Sequence, residues 1–126
     1  MRMLINLIVV FFLIVIASFG TNLSLQQSAL EMSEYIEQAM EEIKQDQWVP
    51  ADEHLGRLED VWENKAGWWP IILDHQEIDN IDFSLARAKE YVGNQHKSLS
   101  LGQLAELKLM ILHIPEKEKV TLENIL

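Results

Sequence analysis

The chain has 126 residues, a formal net charge of −10 at pH 7 and no cysteine. Acidity of this order argues against nucleic acid as a partner, because neutralising phosphates takes basic residues, and it disfavours flat adsorption to an anionic leaflet. The lack of cysteine excludes a disulfide framework, thiol chemistry and S-lipidation, so an apolar core has to hold whatever folds.

The first element is the most distinctive. Met3 to Phe19 reads MLINLIVVFFLIVIASF, with Asn6 and Ser18 as the only polar residues, and no charge occurs between Arg2 and Glu31. A helix rises about 1.5 Å per residue, so such a run is long enough to cross the hydrocarbon of a bilayer. Residues 1–21 are therefore expected to form a transmembrane anchor of the signal-anchor type that meets the lipid bilayer through residues 3–20. Arg2 and the amino terminus flank one side, and no Lys or Arg follows on the other until Lys44. Positive charge is retained on the cytoplasmic side, which predicts a single-pass protein of the cell membrane with a cytoplasmic N-terminus and an extracytoplasmic C-terminal domain. The competing expectation is a secretory signal cleaved after Gly20, with Ser18-Phe19-Gly20 at the cleavage site. The length of the apolar run and a helical pattern that continues beyond it favour the anchor.

Residues 22–126 suffice for one helical bundle domain. All twenty acidic residues lie in this part, as a solvated surface that keeps it soluble. Apolar residues recur at spacings of three and four, the period of helices. Leu25, Ala29, Met32, Ile36, Ala39 and Ile43 form the first stripe, with Gly20-Thr21-Asn22 as a plausible hinge below it. Asp46 is placed to cap a second helix, with Pro50 in its first turn and Trp48, Ala51, Leu55, Leu58 and Trp62 as its stripe. A third helix is expected from Trp69-Pro70 to Gly93-Asn94 through Ile71, Ile78, Ile81, Leu85, Ala88 and Val92. Ser100 and Gln103 read as a capping box, with Leu99 and Leu104 as a hydrophobic staple, at the start of a fourth helix. That helix continues through Leu107, Met110, Ile111 and Ile114 and is expected to end at Pro115. Val120, Leu122, Ile125 and Leu126 would dock a short C-terminal tail back onto the bundle. No internal repeat is legible.

The expected fold is all-α: an N-terminal transmembrane helix followed by an antiparallel, up-down-up-down four-helix bundle. In that arrangement the Asp46 turn and the Gly93–Ser98 loop are distal, and Asn64–Pro70 and His113-Ile114-Pro115 lie near the bilayer. Trp48 and Trp62 sit on an apolar stripe and are expected in the core. Trp68 and Trp69 fall in the membrane-proximal loop, where a core-capping pair and an interfacial pair are both open.

One polar constellation stands out. His75, Asp79 and Asp82 occupy positions i, i+4 and i+7 of one helix face, and His113 would come from the facing helix at a similar height. Imidazole and carboxylates from two helices are how bundle metal sites are built, which makes these four the candidate metal ligands. The Glu-x-x-His pairs of di-iron bundles and the HExxH pairing are absent. The ordinary alternative is a buried polar network, with Asp79 or Glu77 accepting from His75, His113 or Arg87. His54 and His96 read as surface residues. No GxSxG elbow, GxGxxG fingerprint or phosphate-cradling loop occurs, so no catalytic residue is assigned and no cofactor is expected.

The order of features also carries a resemblance. An MRxLI start, an acidic helix, DQW with Ala51, Trp62, HQEID (His75 to Asp79), SLARAKEY (Ser84 to Tyr91), SLSLGQLAELK and a terminal HIPEKEKVTLENIL follow one another over nearly the whole chain. In this the chain resembles a family of short membrane-anchored bacterial proteins, found mainly in Gram-positive spore formers and known only as a domain of unknown function. The resemblance implies a single-pass helical protein and supplies no activity, cofactor or catalytic residue. It also implies a partner among multi-pass membrane proteins that bear an extramembrane domain. The expectation is therefore a non-enzymatic, membrane-tethered helical module that binds or assists a membrane or cell-envelope protein. The alternative is a divalent-metal-binding or sensing bundle built on His75, Asp79, Asp82 and His113.

Overall fold

The computed structural model describes the chain apart from residues 67, 68, 70–72 and 126, and describes only the backbone at residues 21, 22, 66 and 116–125. Four helices, α1 (Arg2–Lys44), α2 (Trp48–Ala66), α3 (His75–Gly93) and α4 (Lys97–Ile125), account for nearly all of it, and there is no strand among the described residues.

α1 has two halves with opposite surroundings. From Met3 to Phe19 every large apolar side chain is at least 44 % exposed, and this stretch is long and apolar enough to cross a membrane. From Leu25 onward the spacing of four and three places Leu25, Ala29, Met32, Ile36, Ala39 and Ile43 on one buried face. The helix runs through Gly20-Thr21-Asn22 without interruption, so the expected hinge is not formed. A glycine costs a helix about 1 kcal/mol relative to alanine, too little to break one that packing supports on its far side.

The core is a helical bundle in which α1 packs against α2 and α4 and α3 packs against α4 and, more sparsely among the described residues, against α2. Leu55, Leu58 and Trp62 of α2, Ile81 and Leu85 of α3, and Leu104, Leu107 and Ile111 of α4 join the α1 stripe in one buried cluster. Trp48, expected in the core, is only half-buried at its edge. Trp69 is fully buried, which makes it the core-capping aromatic. Trp68 and Ile71 lie outside the described residues.

Several helix ends differ from expectation, for one local reason. Asp46 does not cap α2. It takes a left-handed backbone conformation, φ 57°, and so does Gln95, φ 54°. After α1, the Gln47 N–H donates to the Glu42 carbonyl at 2.8 Å and the Asp46 N–H to Ile43 at 3.0 Å. After α3, His96 donates to Tyr91 and Gln95 to Val92, both at 3.0 Å. Each set is a Schellman motif, which satisfies the last carbonyls of one helix and reverses the chain into the next. The reversal is early, so α4 starts at Lys97 and Ser100 falls inside its first turn. The capping box with Gln103 and the Leu99–Leu104 staple are therefore not formed: Leu99 is largely exposed and Leu104 buried. The His96 ring caps instead, its Nδ1 accepting from the Leu99 N–H at 3.3 Å. α3 begins at His75, after Asp74 caps it by accepting from the Gln76 N–H. α4 does not end at Pro115 but runs through it to Ile125; proline removes one rung, and the rest of the ladder continues. Whether Val120, Leu122, Ile125 and Leu126 dock on the bundle lies outside the described side chains.

The two turns expose a repeat. Forty-nine positions separate Asp46 from Gln95, and the same offset carries buried residues onto buried residues. Ala29 maps to Ile78, Met32 to Ile81, Ile36 to Leu85, Ala39 to Ala88 and Ile43 to Val92. On the second helix of each pair Ala51 maps to Ser100, Leu55 to Leu104, Leu58 to Leu107 and Trp62 to Ile111. The bundle is two helical hairpins with one core pattern and one turn.

Two kinds of backbone substitution should act in opposite directions. Gln95→Gly removes the left-handed penalty of a side chain at φ 54° and should stabilise by about 0.5–1 kcal/mol. Gly102→Ala, in the interior of α4 with open space where the Cβ would sit, should stabilise by a similar amount, about 0.5–1 kcal/mol. Denaturant unfolding of the full chain in detergent measures both.

Candidate functional site

The four candidate ligands do not converge. His75 and Asp79 are exposed on the outer side of the first turns of α3. Asp82, one turn further, is drawn to α2: its Oδ1 accepts the Trp62 indole N–H at 2.6 Å. His113 comes from α4 at the height of the start of α3, as expected, but it shares an open cleft of about 140 Å³ with Glu77, Asn80 and Met110. Among the described residues, no three His, Cys, Asp or Glu side chains are arranged to hold a metal ion. The buried network expected of His75, Asp79 and His113 is also corrected, since all three are exposed.

The polar contacts that tie helices together lie elsewhere. Trp62, buried at the end of α2, packs edge-on against Trp69, with ring centroids 5.5 Å apart at 82°, and its N–H reaches Asp82. One turn along, Lys89 of α3 pairs with Glu59 of α2. These two contacts clasp the sparsest seam of the bundle. Across α1 and α2, Nδ1 of His54 lies 2.8 Å from Glu42, beside the Tyr35 ring. His54 is thus a half-buried tether rather than a surface residue, while His96 is exposed as expected. In the second hairpin the equivalent place is held by Gln103, which donates to the Ser84 hydroxyl at 2.6 Å. The sequence held a signal for these pairs in the forty-nine-residue offset, which maps Tyr35 and His54 onto Ser84 and Gln103.

The remaining feature is a groove between α1 and α4. Gln26, Ala29, Leu30, Leu112 and Pro115 line an open space of about 230 Å³. Further along the same two helices Glu37 pairs with Lys108 at 2.5 Å. The groove's rim carries exposed leucines: Leu23 at 45 %, Leu30 at 58 % and, on α4, Leu109 at 69 %. On α1 the exposed face runs from Phe12 through Ile16, Phe19 and Leu23 to Leu30 at spacings of three, four and seven, so the groove continues the apolar surface of the first seventeen residues. Such a surface packs against something apolar; it presents no convergent reactive groups.

Over residues 19–125 the chain matches the family described as "Domain of unknown function (DUF4363)". No curated protein and no solved structure matches it.

The geometry separates structural from peripheral residues. Trp62→Phe keeps the ring but strands the Asp82 contact and should cost about 1–2 kcal/mol. His75→Ala, at an exposed position, should change stability by less than about 0.5 kcal/mol. Parallel denaturation of the two variants provides the comparison.

Proposed function

Because the chain belongs to the DUF4363 family, whose description assigns no activity, we propose that its function follows from its architecture: a non-enzymatic, membrane-tethered helical module that binds or assists a membrane or cell-envelope protein. The observation that carries this reading is α1. One unbroken helix of 43 residues is a bare, mostly apolar rod from Met3 to Phe19 and one wall of the bundle core beyond Leu25. A bilayer is the surrounding in which such a rod costs nothing, and with no break at Gly20 the bundle stands on the span as a rigid body.

Orientation follows from Arg2, with the N-terminus cytoplasmic and residues 22–126 outside. An up-down-up-down course of the four helices is supported by how the cross-helix pairs run. Asp46 with Lys97 and Glu37 with Lys108 link α1 to α4, with residue numbers falling on one helix as they rise on the other. Trp62 with Asp82 and Glu59 with Lys89 do the same for α2 and α3. Both Schellman turns then lie at the distal end, and the α1–α4 groove opens toward the bilayer. A membrane-embedded partner would meet that groove where its own helices leave the lipid. The dispersal of His75, Asp79, Asp82 and His113 leaves the metal-sensing alternative without a supporting observation.

Protease added to intact protoplasts should remove a C-terminal tag while the N-terminus stays with the membrane; protection of the tag would reverse the orientation. A photoreactive residue at Leu30 or Leu109 should give one discrete protein adduct in native membranes that the same residue at Asp60 does not. Equal labelling from all three positions would argue against a specific partner at the groove.

A further inference from the structure

The outward face of α1, opposite its buried stripe, carries one row of side chains that changes character once. Phe12, Ile16, Phe19, Leu23 and Leu30 follow at spacings of four, three, four and seven, and all are exposed. Glu34, Glu37 and Glu41 continue the row at four, three and four, the spacing that keeps residues on one side of a helix. The row is apolar as far as Leu30 and anionic above it. Glu37 pairs with Lys108 and Glu41 with Lys44, yet their side chains stay 56 % and 66 % exposed, so both carboxylates remain open to a further contact. Glu34 is exposed as well.

Charge is also spread unevenly over the bundle. Residues 22–66, the first hairpin, hold eleven acidic residues against three basic ones; residues 75–115, in the second, hold five against four. The negative field of the chain is therefore strongest on the side of α1 and α2. Carboxylates aligned along one helix face repel one another. Solubility needs charge somewhere on the surface, whereas here the charge stands directly above an exposed apolar strip of the same face.

That order selects the occupant. A second copy of this chain in the same membrane would bring Leu23 and Leu30 onto their equivalents, but it would also set the three glutamates against the same three glutamates at the same height. Like charges brought together select against a partner. Lipid matches the apolar strip and not the glutamates. We propose that the outward face of α1 is the docking surface for a helix of a different membrane protein, apolar where it meets Leu23 and Leu30 and rich in lysine or arginine over about the next three turns, opposite Glu34, Glu37 and Glu41. This deepens the tethered-module reading: it rests on α1 being a membrane span and states the chemistry of the partner.

The test uses the full chain in native membranes. p-Benzoylphenylalanine is placed at position 30 and irradiated, with Glu34→Gln/Glu41→Gln and Glu34→Lys/Glu41→Lys variants in parallel; both positions are exposed, so the core is untouched. The expected result is one discrete adduct whose yield falls several-fold with the two glutamines and to background with the two lysines. Its crosslinked peptide, read by mass spectrometry, should lie just outside a membrane span and hold more lysine and arginine than aspartate and glutamate. A self-adduct of twice the chain's mass, a neutral or acidic peptide, or an adduct equally strong in the lysine variant would each overturn the proposal. So would an adduct from position 109 with none from 30, which keeps a partner but moves it to α4. No adduct from either position would remove the membrane-protein partner as well, so the two failures are distinguishable.

Discussion

Everything in this protein depends on α1 satisfying two surroundings with one unbroken helix. Below Gly20 its apolar residues point in all directions, and above Leu25 they are confined to one stripe. The lower half is a mostly apolar rod long enough to cross a membrane, and the upper half is an amphipathic helix that forms one wall of the core. Since the backbone is continuous across that change, the rotational setting of the span and that of the bundle are locked together. α2 and α4 pack on the upper half of α1, and α3 closes the bundle against α4 and α2.

Around that rod the fold is assembled from a hairpin used twice. The two Schellman turns, at Asp46 and Gln95, accept a left-handed residue that is not glycine, at a cost of about 1 kcal/mol each. In return the helices reverse within three residues and meet along their whole apolar faces. The hairpins join best through α1 and α4, where the stripe is longest, and least through α2 and α3. That seam relies on directional contacts, Trp62 to Asp82 and Glu59 to Lys89, which specify register more than they add stability.

The constellation of His75, Asp79, Asp82 and His113 shows how a correct reading of one helix can mislead about a bundle. The first three do share a face, as their spacing says. Which way that face points is fixed by Ile78, Ile81, Leu85, Ala88 and Val92, which turn toward the core. This leaves Asp82 on the flank toward α2 and puts Glu77 and Ser84 on the flank toward α4, so His113 meets Glu77's cleft and not His75. His54 was misplaced for a similar reason. Its neighbours in sequence are acidic and polar, but the tight turn before α2 brings it against Glu42 and Tyr35.

By itself the sequence determined the helical class, the apolar run at the start and nearly every buried position of the first three stripes, because helix period and the exclusion of charge from apolar surroundings act locally. It also contained the repeat, but the matched positions share burial rather than identity, and burial becomes visible only once the helices are packed. The tertiary structure alone decided where helices end, because a left-handed C-terminal residue and a ring nitrogen from His96 competed successfully with the expected caps. It decided that α4 passes Pro115, although a proline inside a helix loses a hydrogen bond and crowds the carbonyl four residues back. Above all it decided which polar residues meet, because helix facing is set by the sum of all core contacts and not by any residue's own neighbours along the chain.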